Sequence, residues 1–122
     1  MARQLEGFDA VIHCAGVVVL APRVELIHSV NVIGCAVMAN AAYDAGVKVF
    51  IGVSSSSVLC SKSGPTRAAK ESDPLPSDQV SLYARSKIEA EKIVISANSE
   101  RMATSMVRFP GIYGIEDKMV AE

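Results

Sequence analysis

Tryptophan is absent from this chain of 122 residues, and phenylalanine and tyrosine contribute only three residues each. So few aromatic rings leave little material for platforms on which nucleic-acid bases stack. The formal net charge is −1 at pH 7, so the sequence also lacks the basic surplus that binds phosphate backbones. We therefore expect no nucleic-acid partner.

Cysteine is scarce as well, and Cys14, Cys35 and Cys60 stand too far apart to form a Cys-x-x-Cys pair. His13 adjoins Cys14, but neighbouring residues of a strand point in opposite directions. This spacing predicts no metal site. Unpaired thiols are typical of a reducing compartment, so we expect a cytoplasmic protein with three free cysteines.

The apolar run at residues 10–21 is too short to span a bilayer, which takes about 20 apolar residues in a helix. It is preceded by Glu6 and Asp9, interrupted by His13 and followed by Pro22. We expect no membrane segment in this chain, and membrane association of a longer parent protein is left open. Half of the residues are apolar, which is enough for the core of one small domain.

Three β-rich segments alternate with two segments of helical periodicity. The predicted elements are a strand at 9–14, a helix at about 25–45, a strand at 47–53, a helix from Gln79 or Ser81 to about 98, and a strand at 102–109. The apolar stripe predicted for the first helix comprises Ile27, Val30, Ile33, Gly34, Val37, Met38, Ala41 and Ala45, and Gly46 would end that helix. Residues 60–79 read as a long loop, and the loop near residues 17–20 is unusually apolar.

This order predicts an α/β fold, a partial doubly wound parallel sheet of the Rossmann type with at least three strands and two main helices. Nearly continuous apolar strands further predict burial on both faces of the sheet. Ligands of such sheets bind beyond the carboxyl ends of the strands. The segments at those ends are small or polar: residues 15–16, 54–57 and 110–111. The alternative is that these residues merely form turns.

Tyr83 and Lys87 are four residues apart in the second predicted helix and therefore lie on one face of it. A neighbouring ammonium favours the phenolate, so we expect the pKa of Tyr83 to be lowered and the phenol to act in acid–base chemistry. The alternative is a surface helix with a half-buried tyrosine and a solvated lysine. Glu89, Glu91 and Lys92 are predicted to form an exposed charged face, and Arg108 to pair with a nearby carboxylate.

Five motifs in order carry a resemblance to a known family: HCAG (13–16), NVIGC (31–35), AGVKVFIGVSSSSV (45–58), YARSK (83–87) and RFPGIYG (108–114). Together they resemble the extended short-chain dehydrogenase/reductase family, the NAD-dependent epimerase/dehydratase superfamily. The chain looks most like its 3β-hydroxysteroid and sterol dehydrogenase branch, with nucleotide-sugar epimerases and dehydratases next. The resemblance covers about residues 8–115.

The resemblance implies a catalytic role for three side chains. Tyr83 matches the family's acid–base at the carbinol oxygen, and Lys87 matches the lysine that lowers the tyrosine pKa and bonds the nicotinamide ribose. Ser55 matches the residue that orients the substrate oxygen. The run of serines leaves Ser54, Ser56 and Ser57 as alternatives for that position.

The resemblance also implies a nicotinamide cofactor, NAD or NADP, with the choice open. Ala15, Gly16 and Pro110 match residues that lie against it, and Lys87 would bond its ribose. Asn31 matches a family asparagine at the cofactor, although a hydrogen bond to nearby backbone is an equal alternative. The implied reaction is hydride transfer at a secondary alcohol or ketone of a small molecule, a 3β-hydroxysteroid or sterol, with a nucleotide sugar as the alternative. A homodimer is a further expectation.

The Gly-rich turn that holds the cofactor pyrophosphate in this family is missing from the sequence. Residues 1–122 therefore resemble a single partial NAD(P)-binding domain, the C-terminal half of the cofactor domain. An inactive fragment or an interaction module is the alternative to an active enzyme. An unpaired edge on the first strand predicts that the isolated chain is poorly soluble or oligomeric.

Overall fold

Three strands form a parallel sheet at the centre of the molecule. The computed structural model describes residues 1–18, 24–65, 68–79, 81–112 and 114. The strands β1 (Ala10–His13), β2 (Val49–Ser55) and β5 (Ala103–Phe109) lie in the order β1-β2-β5. The predicted parallel sheet is confirmed, and β1 and β5 are its edges among the described strands.

Two long helical segments connect these strands. The first comprises α1 (Val24–His28), a π-helical turn (Ser29–Gly34) and α2 (Cys35–Asp44), and the second is α3 (Leu82–Ser96). Short 3₁₀ turns occupy Ala2–Gln4 and Ser56–Leu59. The predicted order of strands and helices is confirmed. The second half of the apolar loop expected at residues 17–20 lies outside the described residues.

Both helix ends that the sequence signals are built by local hydrogen bonds. Gly46 follows α2 with φ of +80°, and the Val47 N–H donates to the Ala42 carbonyl at 3.0 Å. This bonding is the Schellman end, which favours glycine because of its left-handed backbone. Ser81 caps α3, since its hydroxyl accepts the Ala84 N–H at 3.1 Å.

The buried stripe of the first helical segment differs from the predicted one. Ile33 and Val37 were expected inside but are 51% and 44% exposed, whereas Asn31 and Cys35 are buried. The π-helical turn explains the shift, because its extra residue per turn rotates the following positions around the axis. Sequence periodicity based on 3.6 residues per turn could not anticipate it.

The core lies between the helices and the inner face of the sheet, which carries Phe50, Gly52 and Ser54 of β2. Its buried members are Cys35, Ala39, Ala42, Val47, Phe50, Ala90, Val94 and Met102. The stretch Val24–Asp44, at mean hydropathy 1.4, is long and apolar enough by composition to cross a membrane. A third of its apolar window is buried, and the buried residues Cys35, Ala39 and Ala42 pack into this core.

The opposite, outer face of the sheet is exposed. Ile12 is 65% exposed and Val107 is 37% exposed, so the prediction of strands buried on both faces is wrong for the described structure. The reason is that the described helices pack against the inner face alone, where Phe50 is fully buried. An apolar strand can be covered only by elements that are present to pack on it.

The predicted loop at 60–79 contains a short antiparallel hairpin. Its strands are β3 (Cys60–Ser61) and β4 (Gly64–Pro65), and Gln79 bridges to Ser61. Buried Gln79 donates to the Val58 carbonyl at 3.1 Å, which ties the end of this segment to the 3₁₀ turn after β2. The segment is therefore anchored next to the start of α3.

Candidate active site

Tyr83 and Ser55 meet at the carboxyl edge of the sheet. Ser55 is the last residue of β2, and Tyr83 lies in the first turn of α3, which follows β2 along the chain. The Ser55 hydroxyl acts on the phenol of Tyr83 as a hydrogen-bonding group and lowers its pKa. The pair predicted from distant parts of the sequence therefore converges at one point on the rim, defined as the carboxyl ends of β1, β2 and β5.

Burial raises the pKa of Tyr83, and the hydrogen bond with Ser55 opposes that rise. The expectation that Lys87 lowers the pKa of Tyr83 is wrong for the chain as described. The Lys87 Nζ lies 5.8 Å from the centre of the phenol ring, above its face, and gives a hydrogen bond to the Val53 carbonyl instead. Removal of water from the phenolate outweighs the remaining attraction.

Lys87 is buried, with 6% of its surface exposed. Its Nζ donates to the Val53 carbonyl at 2.9 Å. Burial lowers the pKa of Lys87, while the thiols of Cys35 and Cys14 act in the opposite direction. An ammonium has three N–H donors, and the described residues engage one of them through a hydrogen bond. Two donors stay available to a ligand at the rim.

The serine run divides between two partners. Ser54 is buried and donates to Glu91 Oε1 at 2.5 Å, so its hydroxyl is occupied on the inner face. Ser55 accepts the Ser57 N–H at 3.2 Å and also contacts the phenol of Tyr83. Of the adjacent pair, the structure places Ser55 rather than Ser54 beside the candidate acid–base.

Ala15 and Gly16 follow β1 and are exposed at the rim, and Pro110 is exposed just after β5. A Cβ on Gly16 would lie 3.2 Å from Lys87 Nζ and 3.5 Å from Asn31 Oδ1. Glycine thus lets the β1 end approach the buried ammonium closely. Small side chains and free N–H donors at one place fit the edge of a flat nicotinamide riboside.

Asn31 is buried in the π-helical turn and is bonded to protein atoms. Its Nδ2 donates to the Val17 carbonyl at 3.1 Å and to Ser86 Oγ at 3.0 Å, and its Oδ1 accepts the Val17 N–H at 2.8 Å. Ser86 in turn donates to the Tyr83 carbonyl at 2.7 Å. Both amide N–H groups are therefore used, as the backbone-bonding alternative expects. Only the second lone pair of Oδ1 is free for a cofactor.

Glu91 is buried, which corrects its assignment to an exposed charged face. Arg108 donates to it twice, from Nε at 2.9 Å and from Nη2 at 2.7 Å, as the expected carboxylate pair. Glu89 and Lys92 are exposed as predicted. The spacing could have indicated the burial of Glu91, because it lies four residues after Lys87 and therefore on the same inward face of α3. The role of Ser86 as a hydrogen-bond partner of Asn31 was missed, because a serine in a helix does not by itself indicate a buried partner.

A cofactor fits this rim at its nicotinamide end. The donors of Lys87 and the small residues 15–16 suit a ribose and a flat ring, whereas the sequence contains no Gly-rich turn for a pyrophosphate. Within the described ranges, no group of three or more metal-ligating side chains comes together. The three cysteines are free in the structure.

A sequence profile of the 3-beta hydroxysteroid dehydrogenase/isomerase family matches residues 1–122. A Caenorhabditis elegans 3beta-hydroxysteroid dehydrogenase/Delta(5)-Delta(4) isomerase is 35% identical over the whole chain and 27% of its own length. A Gibberella zeae sterol-4-alpha-carboxylate 3-dehydrogenase is 35% identical over 88% of the chain and 37% of its own length. The chain thus spans about a third of these relatives.

Solved structures agree with the fold. A dTDP-glucose 4,6-dehydratase from Streptomyces venezuelae with bound NAD superposes with a TM-score of 0.77 at 27% identity, over 88% of this chain and 33% of that one. A Bacillus cereus UDP-glucuronic acid 4-epimerase with NAD gives 0.76 at 22% identity, over 93% of this chain and 36% of that one, a likeness of fold alone. With its whole length matched by the profile and its Tyr–Lys–Ser set assembled at the sheet rim, this chain belongs to the 3-beta hydroxysteroid dehydrogenase/isomerase family.

Proposed function

We propose that this domain supplies the acid–base set of an NAD(P)-dependent oxidoreductase that interconverts a secondary alcohol and a ketone. The observation that carries the proposal is the meeting of Tyr83 with Ser55 at the end of β2, with the buried ammonium of Lys87 5.8 Å from the centre of the phenol ring. These residues come from separate elements, and their convergence on one rim is what such chemistry requires. The family membership of the chain supports the same reaction.

The side chains divide the work at the substrate oxygen. Tyr83, whose pKa is raised by burial, is a protonated phenol near neutral pH and can donate its proton to a ketone oxygen. Ser55 contributes a second hydrogen bond to that oxygen as negative charge develops on it. Lys87 offers its spare N–H donors to a ribose. A bound nicotinamide would supply the hydride.

The substrate that we propose is a 3β-hydroxysteroid or sterol. Relatives at 35% identity carry steroid and sterol names. The described rim also bears exposed apolar side chains, since Val18 is 63% and Ile112 is 71% exposed. A nucleotide sugar is the alternative, supported by the fold of the dTDP-glucose dehydratase at 27% identity. Parallel assays with a 3β-hydroxysteroid and a sugar nucleotide separate the two.

Replacement of Tyr83 by phenylalanine in the full-length gene product tests the reaction. It removes the proton and keeps the ring, so we expect turnover to fall by about 10²–10⁴-fold while the dissociation constant of NADH stays within about twofold. Tyr43→Phe is the matched control, because Tyr43 is 37% exposed and stacks on Arg101 with 4.6 Å between guanidinium carbon and ring centre. Turnover retained by Tyr83→Phe would overturn the proposal.

A catalytically inactive module is the second candidate function, favoured by the raised pKa of Tyr83 and by the hydrogen bond of Lys87 to the Val53 carbonyl. Calorimetric titration of the 122-residue chain with NADH and NADPH separates the two. Micromolar binding contradicts an inactive module and shows which nicotinamide is preferred. Absence of binding by the chain, together with absence of turnover by the full-length gene product, would support it.

We also propose that the protein is cytoplasmic and that it forms a homodimer. Its three free cysteines suit a reducing compartment. Apolar side chains of the first helical segment face outward, with Leu26 at 38%, Ile33 at 51% and Val37 at 44% exposure, and a second copy would cover them. Light scattering on wild type and on Val37→Glu tests the dimer, and cell fractionation tests the compartment. A monomeric wild-type protein would contradict the proposed homodimer.

A further inference from the structure

The helix α3 holds β2 at two successive positions. Lys87 donates to the Val53 carbonyl at 2.9 Å, and one turn later Glu91 accepts the Ser54 hydroxyl at 2.5 Å. The two helical residues are four apart and the two strand residues are adjacent. These two hydrogen bonds therefore fix the position of α3, which carries Tyr83, along β2, which ends in Ser55.

Glu91 also reaches the neighbouring strand. Its two oxygens accept the Nε and Nη2 donors of Arg108, a two-point pairing whose geometry is directional. Arg108 pairs with Ser54 in the sheet register, two residues before Pro110. One buried carboxylate therefore joins α3 to the carboxyl ends of β2 and β5.

We infer that Glu91 is a positioning residue, which holds Ser54 on the inner face so that the adjacent Ser55 is directed to the phenol of Tyr83. Side chains alternate along a strand, so the orientation of one residue constrains the next. The Ser54–Glu91–Arg108 network touches neither the substrate oxygen nor the ring of Tyr83. It acts through Ser55 and rests on the proposed function of that serine.

The burial of the network explains why it holds this orientation. The Glu91 side chain is 7% exposed and that of Arg108 is 22% exposed, so water competes little for these hydrogen bonds. Ser57 differs from Ser54 in this respect, because its hydroxyl is buried without a hydrogen-bond partner among the described residues. Ser54 is the one whose hydroxyl has a charged acceptor.

The test is the titration of Tyr83 in the 122-residue chain, followed by NMR with ¹³C-labelled tyrosine and assigned with Tyr83→Phe. Ser54→Ala removes one hydroxyl from the network and leaves the Glu91–Arg108 pair intact. Since the Ser55 hydrogen bond lowers the pKa of Tyr83, its loss is expected to move the titration midpoint upward. Ser54→Thr keeps the hydroxyl and is expected to restore the wild-type midpoint.

Controls separate positioning from general stability. Glu89→Gln changes an exposed carboxylate on the same helix and is expected to leave the midpoint unchanged. In the full-length gene product, Ser54→Ala is expected to lower kcat about tenfold with KM within about twofold. A Ser54→Ala chain that unfolds more easily but titrates Tyr83 as wild type would overturn the inference. The titration needs no cofactor. It therefore tests the positioning role of Glu91 even if the full-length gene product shows no turnover and the proposed function fails.

Discussion

Substitution of Gly52 by alanine should destabilise the domain through one overlap. Gly52 is buried in β2 and pairs with Met106 of β5 in the sheet register. A Cβ at this position would overlap the Met106 sulfur and lie 3.1 Å from its terminal methyl and 3.7 Å from a Val94 methyl. The methionine side chain passes through the space that a methyl group would need.

The expected size follows from two opposing effects. Overpacking costs about 1–3 kcal/mol, and the lower half of that range applies because the overlapped atoms are the flexible end of half-buried Met106. Alanine is better than glycine inside a regular element by about 0.5–1 kcal/mol, which offsets part of that cost. The net loss of unfolding free energy for Gly52→Ala is therefore about 1 kcal/mol, or a fall in Tm of about 3–6 °C.

A double-mutant cycle identifies the cause. Met106→Ala removes the overlapped side chain, so in the Gly52→Ala background it should cost about 1–2 kcal/mol less than it does in wild type. Gly111→Ala is the matched control, because a Cβ there meets nothing within 4 Å. Denaturant and thermal unfolding of the four cycle members give the coupling. A fully stable Gly52→Ala chain, or strictly additive effects, would refute the reasoning.

Three further predictions use the rim and the helix ends. Gly16→Ala places a Cβ 3.2 Å from Lys87 Nζ and is expected to weaken NADH binding about tenfold, measured by calorimetry, with unchanged binding as the contrary result. Ser81→Ala removes the cap from the Ala84 N–H and should cost about 1 kcal/mol in urea unfolding, whereas Ser81→Asp should not. The pKa of His13 is lowered by burial and by Lys87, so the unfolded state takes up a proton more readily. The stability that neutral His13 contributes is present above its unfolded pKa of 6.5 and is lost as pH falls through 6.5 towards the lower folded value. The urea midpoint should therefore drop between about pH 7.5 and about 5.5, and His13→Gln should flatten that drop; equal slopes would contradict it.

Local sequence signals predicted most of the fold. The apolar strands, the glycine after α2 and the serine before α3 each act through neighbours a few residues away, and each lies where it was expected. The exception among local features is the π-helical turn at Ser29–Gly34, which left Ile33 and Val37 exposed. A π-helical turn and an α-helical turn differ little in energy, so tertiary contacts decide which of them forms.

Tertiary contacts also decided the protonation chemistry. The spacing correctly predicted that Tyr83 and Lys87 lie close together on α3. The predicted direction of the Tyr83 pKa shift was wrong, because spacing contains no information about burial. The depth at which the helix packs determines how much water reaches the phenol. The same depth buries Glu91, whose carboxylate on a sequence basis looks as solvated as that of Glu89.

By itself the sequence determined the order of strands and helices, their capped ends and the one-turn spacing of the candidate acid–base pair. Only the tertiary structure decided which serine meets the phenol, which carboxylate is buried and what Asn31 holds. The bond from Asn31 to Ser86 spans 55 residues and that from Ser54 to Glu91 spans 37. The physical reason is that such bonds depend on how whole elements pack, whereas periodicity and caps depend on residues within a turn or two.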